Sequence, residues 1–286
     1  MKVLVTGVKG QLGFDCVREL KERGFNDVVG IDIEDLDLTN ESAVKKYIRE
    51  LKPDVIMHNA AWTAVDKAEE CEELCRKINV DAVKFLAEAA NEVGSKLVYI
   101  STDYVFPGCG DSFYEVDDKP NPISKYGKSK LDGEIAAKSC KKSFIVRVSW
   151  AFGVNGNNFI KTMLKLAENH KELCIVCDQV GSPTYTYDLS KLLCDMIVTE
   201  KYGTYHATNE GVCSWAEFAE EIFKDAGLDV KVNRVTTSEY VKNKPNQANR
   251  PLNSRLSKKS LDETGFNRLP SWEDALKRYL KEIKVL

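Results

Sequence analysis

The segment Lys2-Val3-Leu4-Val5-Thr6-Gly7-Val8-Lys9-Gly10-Gln11-Leu12-Gly13 decides how this chain is read. Lys2–Thr6 has the apolar character of a short buried strand. Glycines follow at every third position without a break, and Phe14 to Arg23 then carries the period of an amphipathic helix that ends at Gly24. Strand, glycine turn and helix in that order are the context of a dinucleotide-binding fingerprint. Glycines let the main chain approach a pyrophosphate, and the helix N-terminus offers N–H groups and a partial positive charge. Gly7, Lys9, Gly10, Gln11, Leu12 and Gly13 are therefore the candidate cofactor contacts. The spacing is G-x-x-G-x-x-G rather than G-x-G-x-x-G, which leaves a plain glycine-rich turn as the alternative.

Working outward, Asp27–Asp32 reads as a second strand. Asp32 stands ~20 residues beyond the last glycine, where a carboxylate accepts hydrogen bonds from the adenosine ribose. That placement favours NADH, because a carboxylate repels a 2′-phosphate, while Lys9 offsets the preference by offering a cation. The alternative for Asp32 is a strand-end turn residue. Asp37 and Leu38 suit the adenine side of such a site, and Thr39 reads as the cap of a helix over Glu41–Leu51. A third strand, Pro53–His58, runs into Asn59-Ala60-Ala61, small residues that let a cofactor lie close; His58 is assigned no catalysis. A helix is expected from Asp66 to Val93, bent near Cys71 to Leu74.

The fourth strand, Lys96–Ile100, leads into Ser101 and Thr102. Functional groups gather at the carboxyl ends of parallel strands, so this pair suits a substrate carbonyl; strand capping is the plainer reading. Residues 107–125 form a loop closed by Ser124, a good N-cap for the helix of Tyr126-Gly127-Lys128-Ser129-Lys130. Tyr126 and Lys130 are four apart and share a helix face. A phenol titrates near ~10, and an adjacent ammonium lowers that value, which makes the pair a proton donor for a carbonyl being reduced. Two solvated surface side chains are the alternative.

Ser143–Val148 is the fifth strand, and past Trp150 the strict strand–helix alternation loosens. Helices are expected at Phe159–Asn169, Leu189–Thr199, Trp215–Asp225 and Ser271–Ile283, strands at Leu173–Cys177 and Gly203–Thr208, and a turn at Gly181–Thr184. The fold class is α/β: a Rossmann-type doubly wound parallel sheet with a smaller, mostly C-terminal α/β substrate domain. Residues 1–150, completed by about 178–206, would form the first; residues 151–286 would supply most of the second.

The composition narrows the field. The chain has 286 residues, 43% hydrophobic and 30% charged, with a formal net charge of -3, so no field favours nucleic acid or an anionic membrane surface. The N-terminus is too short and glycine-broken for a signal peptide, and no apolar run reaches the ~18 residues of a membrane span. A cytoplasmic location is expected. Nine cysteines are scattered without metal-ligand spacing and read as reduced thiols.

Several further stretches turn this pattern into a family resemblance. They are Asn59-Ala-Ala-Trp-Thr-Ala-Val-Asp-Lys-Ala-Glu69, Ser101-Thr-Asp-Tyr-Val-Phe-Pro-Gly108, Tyr126-Gly-Lys-Ser-Lys-Leu131, Arg147-Val-Ser-Trp150, Gly156-Asn-Asn-Phe159, Asp178-Gln-Val-Gly-Ser-Pro-Thr184 and Arg250-Pro-Leu-Asn-Ser-Arg-Leu256. Together they resemble the extended short-chain dehydrogenase/reductases, and among these the dTDP-4-dehydrorhamnose reductases. The resemblance implies NADH or NADPH as cofactor, a dTDP-4-keto-6-deoxy-L-hexose as substrate and dTDP-L-rhamnose as product. It implies that Tyr126 protonates the C4 oxygen, that Lys130 holds the nicotinamide ribose, and that Thr102 orients the ketone. By position, Thr63, Val65, Asp66, Tyr104 and Trp150 meet the sugar or its surroundings. Arg250 and Arg255 suit a diphosphate because guanidinium forks match its oxygens, with surface ion pairing equally open for Arg255. A homodimer is compatible with the resemblance. The magnesium-bridged form of that dimer is in doubt, because Asp occupies position 15 and Tyr185–Asp188 offers no matching Glu; no metal is expected in catalysis.

Two other classes share the fold pattern. One is a non-catalytic, dinucleotide-binding regulatory subunit like that of methionine adenosyltransferase, which an intact Thr102/Tyr126/Lys130 set disfavours. The other is a nucleotide-sugar epimerase or dehydratase, which would keep its cofactor bound and return the hydride.

Overall fold

The computed structural model describes residues 1–242 and 247–286. The first strand, β1 (Lys2–Thr6), is followed by α1 (Gln11–Glu22), β2 (Asp27–Ile31), α2 (Glu41–Leu51) and β3 (Val55–His58). Next come the short helices α3 (Val65–Glu70) and α4 (Glu72–Arg76), a π-helical turn over Lys77–Asp81, and α5 (Ala82–Val93). Then β4 (Lys96–Thr102), α6 (Lys125–Lys138) and β5 (Ser143–Val148) complete the N-terminal pattern. With the strand Gly203–His206 they build a six-stranded parallel sheet whose order is Gly203–His206, β5, β4, β3, β1, β2. The chain runs outward from β1 to β2, returns, and continues across β3. The strand order therefore reverses beside β1, and a crevice opens there at the carboxyl ends of the strands.

Alternation along the buried strands divides the core into two layers. Val3, Val5, Val55, Met57, Val98 and Phe144 face α1 and the helix Thr186–Ile197. Leu4, Ile56, Leu97, Tyr99 and Ile145 face α2, α5 and α6. A third core belongs to the C-terminal helices Phe159–Ala167, Trp215–Asp225 and Trp272–Glu282, which enclose Phe152, Phe218, Phe223 and Tyr279. Among the described residues three small sheets accompany it, one of them pairing Val180–Gly181 with both Cys213–Ser214 and Asn253–Ser254.

Several boundaries differ from the sequence expectation. The first helix starts at Gln11, not Phe14, because the glycine turn passes directly into it with Gly10 as N-cap. Asn40, not Thr39, caps α2 by accepting from Ala43 N; Thr39 instead bonds Asp37. The long helix breaks at Cys71 (φ -115°, ψ 46°), within the expected bend, and is interrupted a second time, unexpectedly, at the π-turn. Strand β4 extends to Thr102, so Ser101 and Thr102 belong to the sheet itself. The Gly181–Thr184 turn is flanked by two short strands, Val180–Gly181 and Thr184–Tyr185, and the next helix begins early, at Thr186.

Candidate active site

The glycine corner meets the requirements of a dinucleotide cradle. Gly7 has φ +69°, and a Cβ there would lie 2.8 Å from Ala60 N. A Cβ on Gly13 would lie 2.1 Å from the Gly7 carbonyl oxygen, so α1 seats against the turn only without a side chain at this position. Among the described residues no side chain caps α1, and no acid stands in its first turn, which leaves its N-terminal N–H groups available to an anion. Beside it lies a cleft of about 240 Å³ lined by Thr6, Gly7, Asp32, Asp37, Leu38, His58, Ala60 and Ala61, closed by Ile78 and Ala82. The expected cofactor residues Gly7, Asp32, Asp37, Leu38, Ala60 and Ala61 thus converge.

Others are placed differently. Gln11 uses its side chain to accept from Gly153 N and Asn158 Nδ2, which leaves its main chain for a ligand. Leu12 packs into the core. Lys9 pairs with Glu34 at 2.7 Å on the open surface. Asn59 points its amide back at the Met57 carbonyl and away from the cleft. Asp32, while lining the cleft, also accepts from Lys9 N and Ile33 N, both at 2.9 Å, so its carboxylate closes the glycine turn. His58 is buried and bonded to Thr6 Oγ1 through Nδ1, while Nε2 has no partner among the described residues. Burial, with Lys130 nearby, pushes its pKa down to about 3, so the ring is neutral at physiological pH.

Across the crevice, Ser124 caps α6 by accepting from Gly127 N, which fixes the first turn and carries Tyr126 inward. Tyr126 is 9% exposed, Lys130 3% and Thr102 6%, so the three candidate catalytic groups sit inside the protein. Tyr104 stacks edge-on against Tyr126 at 5.5 Å, with Val65 and Trp62 packed around them. Lys130 Nζ donates to Ile100 O at 2.7 Å and lies 4.3 Å above the Tyr99 ring. Burial lowers the Lys130 pKa to about 7, partly opposed by Glu134. The sequence expectation that Lys130 lowers the Tyr126 pKa is not met. Burial first, then the charge of Asp103, raise the phenol, and Thr102 is the group that pulls it back. Lys130 is turned to the strand carbonyl, and a dry site opposes the phenolate.

The candidate substrate residues fall into two groups. Asp66 on α3 binds Arg250 Nη2 at 2.8 Å and Ala248 N at 3.0 Å, so the segment after β3 and the C-terminal segment meet across the crevice. Trp150 leaves β5 with φ +49°, an uncommon value for a bulky residue, and stacks on Trp215 at 3.8 Å. Its ring edge packs on Gly181, next to Ser254. Thr63 is exposed. Arg255 bonds the Asn253 side chain at 2.9 Å, whereas the intervening Ser254 bonds Asp103. Arg250 and Ser254 thus reach Asp66 and Asp103 at the crevice, whereas Arg255 bonds within its own segment. Asp15 is buried against Thr186, and burial raises its pKa to about 6. Among the described residues, no group of three or more His, Cys, Asp or Glu is disposed to hold a metal.

Comparison with known proteins assigns the family. The RmlD substrate binding domain family matches residues 1–285. A dTDP-4-dehydrorhamnose reductase of Aggregatibacter actinomycetemcomitans is 41% identical over 96% of this chain and 97% of its own. The chain belongs to this family. Among solved structures, the dTDP-4-dehydrorhamnose reductase of Clostridium acetobutylicum superposes with a TM-score of 0.95 at 45% identity, covering 99% of this chain and 100% of that one. The Bacillus anthracis reductase, solved in complex with NADP, gives 0.94 at 43% identity with the same coverage.

Within the reductase fold, sequence reasoning missed two buried polar residues. Asn79, on the π-turn, accepts from Trp62 N and donates to Trp62 O and Ser129 Oγ, tying the segment after β3 to the helix of Tyr126. Asp103 accepts from Thr102 Oγ1 and from Ser254 Oγ. A helix interruption inside a long periodic segment is the only local signal for the first. An acid directly following Thr102 was the signal for the second.

Proposed function

We propose that this reductase converts the C4 ketone of dTDP-4-dehydro-L-rhamnose to the alcohol of dTDP-L-rhamnose, with NADPH or NADH as hydride source, for rhamnose-containing polysaccharide. The observation that carries the reading is the burial of Thr102, Tyr126 and Lys130 together beside the glycine-cradled cleft, in a chain of this family. The reduced nicotinamide supplies the hydride. Tyr126 supplies the proton: its raised pKa keeps the phenol loaded at neutral pH, and the alkoxide formed at C4 is basic enough to take it. Thr102 aligns the ketone oxygen, and Lys130 holds the nicotinamide ribose. Val65 and Tyr104 wall the sugar, Trp150 borders it, and Thr63 meets it at the rim.

Arg250 exchanges Asp66 for the substrate diphosphate, whose oxygens suit its fork. The cofactor half comprises residues 1–150 completed by about 178–206, and the rest of 151–286 takes the sugar nucleotide. The cytoplasm, where such substrates and cofactors circulate, is the proposed location. The main chain at Gly7, Gly10, Gln11, Leu12 and Gly13 holds the cofactor pyrophosphate, and Asp37 and Leu38 border its adenine. The test is oxidation of NADPH and NADH, side by side, with enzymatically made dTDP-4-keto-L-sugar, the C4 configuration of the product being read by NMR. Tyr126→Phe should lower kcat by about 100-fold or more with little change in KM. Near-normal turnover by that variant removes Tyr126 from the mechanism. Protein that purifies with tightly held NAD+ and needs no added cofactor favours an epimerase or dehydratase instead.

A further inference from the structure

The hydroxyl of Thr102 has one proton, and it is already committed. It donates to Asp103 Oδ1 at 2.8 Å, while the oxygen accepts from Tyr104 N at 3.3 Å. A ketone oxygen only accepts. With Asp103 ionised, Thr102 therefore has no proton for the substrate. Turning its hydroxyl away would strip a donor from a carboxylate that is 2% exposed, which is costly. The other carboxylate oxygen, Oδ2, is held by the Ser254 hydroxyl.

We infer that Asp103 is a positioning residue for the reduction: in the reactive complex its carboxyl carries a proton on Oδ1, donates it as a hydrogen bond to Thr102, and so frees the Thr102 hydroxyl to donate to the ketone. The inference deepens the reductase reading and rests on it. The Asp103 proton is not consumed; the proton transferred to the product comes from Tyr126. The surroundings support a neutral acid. Burial raises the Asp103 pKa to about 6 against the pull of Ser254 and Thr102. Tyr104 and Tyr126 face it as neutral phenols, and beyond Tyr104 stand the paired Arg250 and Asp66. A bound sugar displaces more water, and the diphosphate adds negative charge; both disfavour a second anion. Ser254 lies on the strand Asn253–Ser254, so the C-terminal segment that brings Arg250 to the crevice also sets the orientation of this acid.

The experiment follows kcat and KM against pH for the full chain with saturating NADPH and dTDP-4-keto-L-rhamnose. Wild type should lose kcat by about tenfold per pH unit above the Asp103 pKa of the complex. In Asp103→Asn the amide N–H replaces the acid O–H, so that alkaline limb should vanish with activity within about tenfold of wild type. Asp103→Leu, which has no donor, should lose about 100-fold at every pH. Ser254→Ala removes a donor to the carboxylate and should move the limb to higher pH. Infrared difference spectra of the ternary product complex, wild type minus Asp103→Asn, should contain a protonated-carboxyl band. The inference is overturned if Asp103→Asn is as inactive as Asp103→Leu, if it keeps the wild-type limb (which then belongs to Lys130), if Ser254→Ala leaves the limb in place, or if that band is missing. A wild-type protein that oxidises no NADPH with this ketosugar instead overturns the reductase reading on which the inference stands.

Discussion

Arg147 and Glu134 form a buried ion pair behind the catalytic helix, and its loss should be among the most damaging single changes in the chain. Their side chains are 2% and 1% exposed, and Arg147 donates from Nε and Nη2 to the two Glu134 oxygens, each at 2.8 Å. Ser101 Oγ adds a bond to Glu134 Oε1 at 2.6 Å, so the pair ties α6 to both β4 and β5, directly behind Thr102 and Lys130. Removing one partner leaves a charge in a dry site, which costs about 3–5 kcal/mol. For a chain of this size that corresponds to a fall in Tm on the order of 10 °C. Replacing both partners with apolar groups removes both charges together, so Arg147→Met/Glu134→Leu should recover at least half of the loss caused by either single change. Ser101 and Val116 O, which then lose a partner each, limit the recovery. Urea unfolding followed by circular dichroism on the two single variants and the double variant closes the cycle. A coupling free energy of about 2 kcal/mol or more is expected. Strict additivity, or single variants costing under about 1 kcal/mol, would refute the view that the pair anchors this helix.

Two further outcomes follow from the same geometry. Lys130→Met should abolish turnover yet stabilise the fold, and more so at pH 6 than at pH 9. The sign comes from linkage: burial lowers the native pKa to about 7, below the unfolded value near ~10.4, so the cost of the buried ammonium is complete below about pH 7 and is relieved as pH rises toward the unfolded value. Thermal melts of both proteins across that range check it, and a pH-independent difference would contradict it. Gly13→Ala should weaken NADPH binding by at least about tenfold in a titration calorimeter, because a Cβ 2.1 Å from Gly7 O forces α1 off the glycine turn; unchanged affinity would exclude this corner as the cofactor seat.

The order of strands and helices through β5, the glycine corner and the Ser124 cap were legible in the chain itself, because each rests on a local rule: period, glycine spacing, or a hydroxyl one residue before a helix. That Tyr126 and Lys130 stand one turn apart on α6 was legible for the same reason. Their chemistry was not. The pKa of Tyr126 depends on how dry its surroundings are and on the charge of Asp103 beside it, and the first of these has no signature in residue spacing. The Asp66–Arg250 contact joins residues 184 positions apart, and the bond from Ser254 to Asp103 spans 151. The strand Asn253–Ser254 pairs with Val180–Gly181, and the bond from Ser254 joins this segment to the residue after β4. Local patterns determined which groups could do chemistry, since helix and strand periods act over a few residues; the closed tertiary structure decided which of them meet and in what state of protonation, since desolvation and charge act through space.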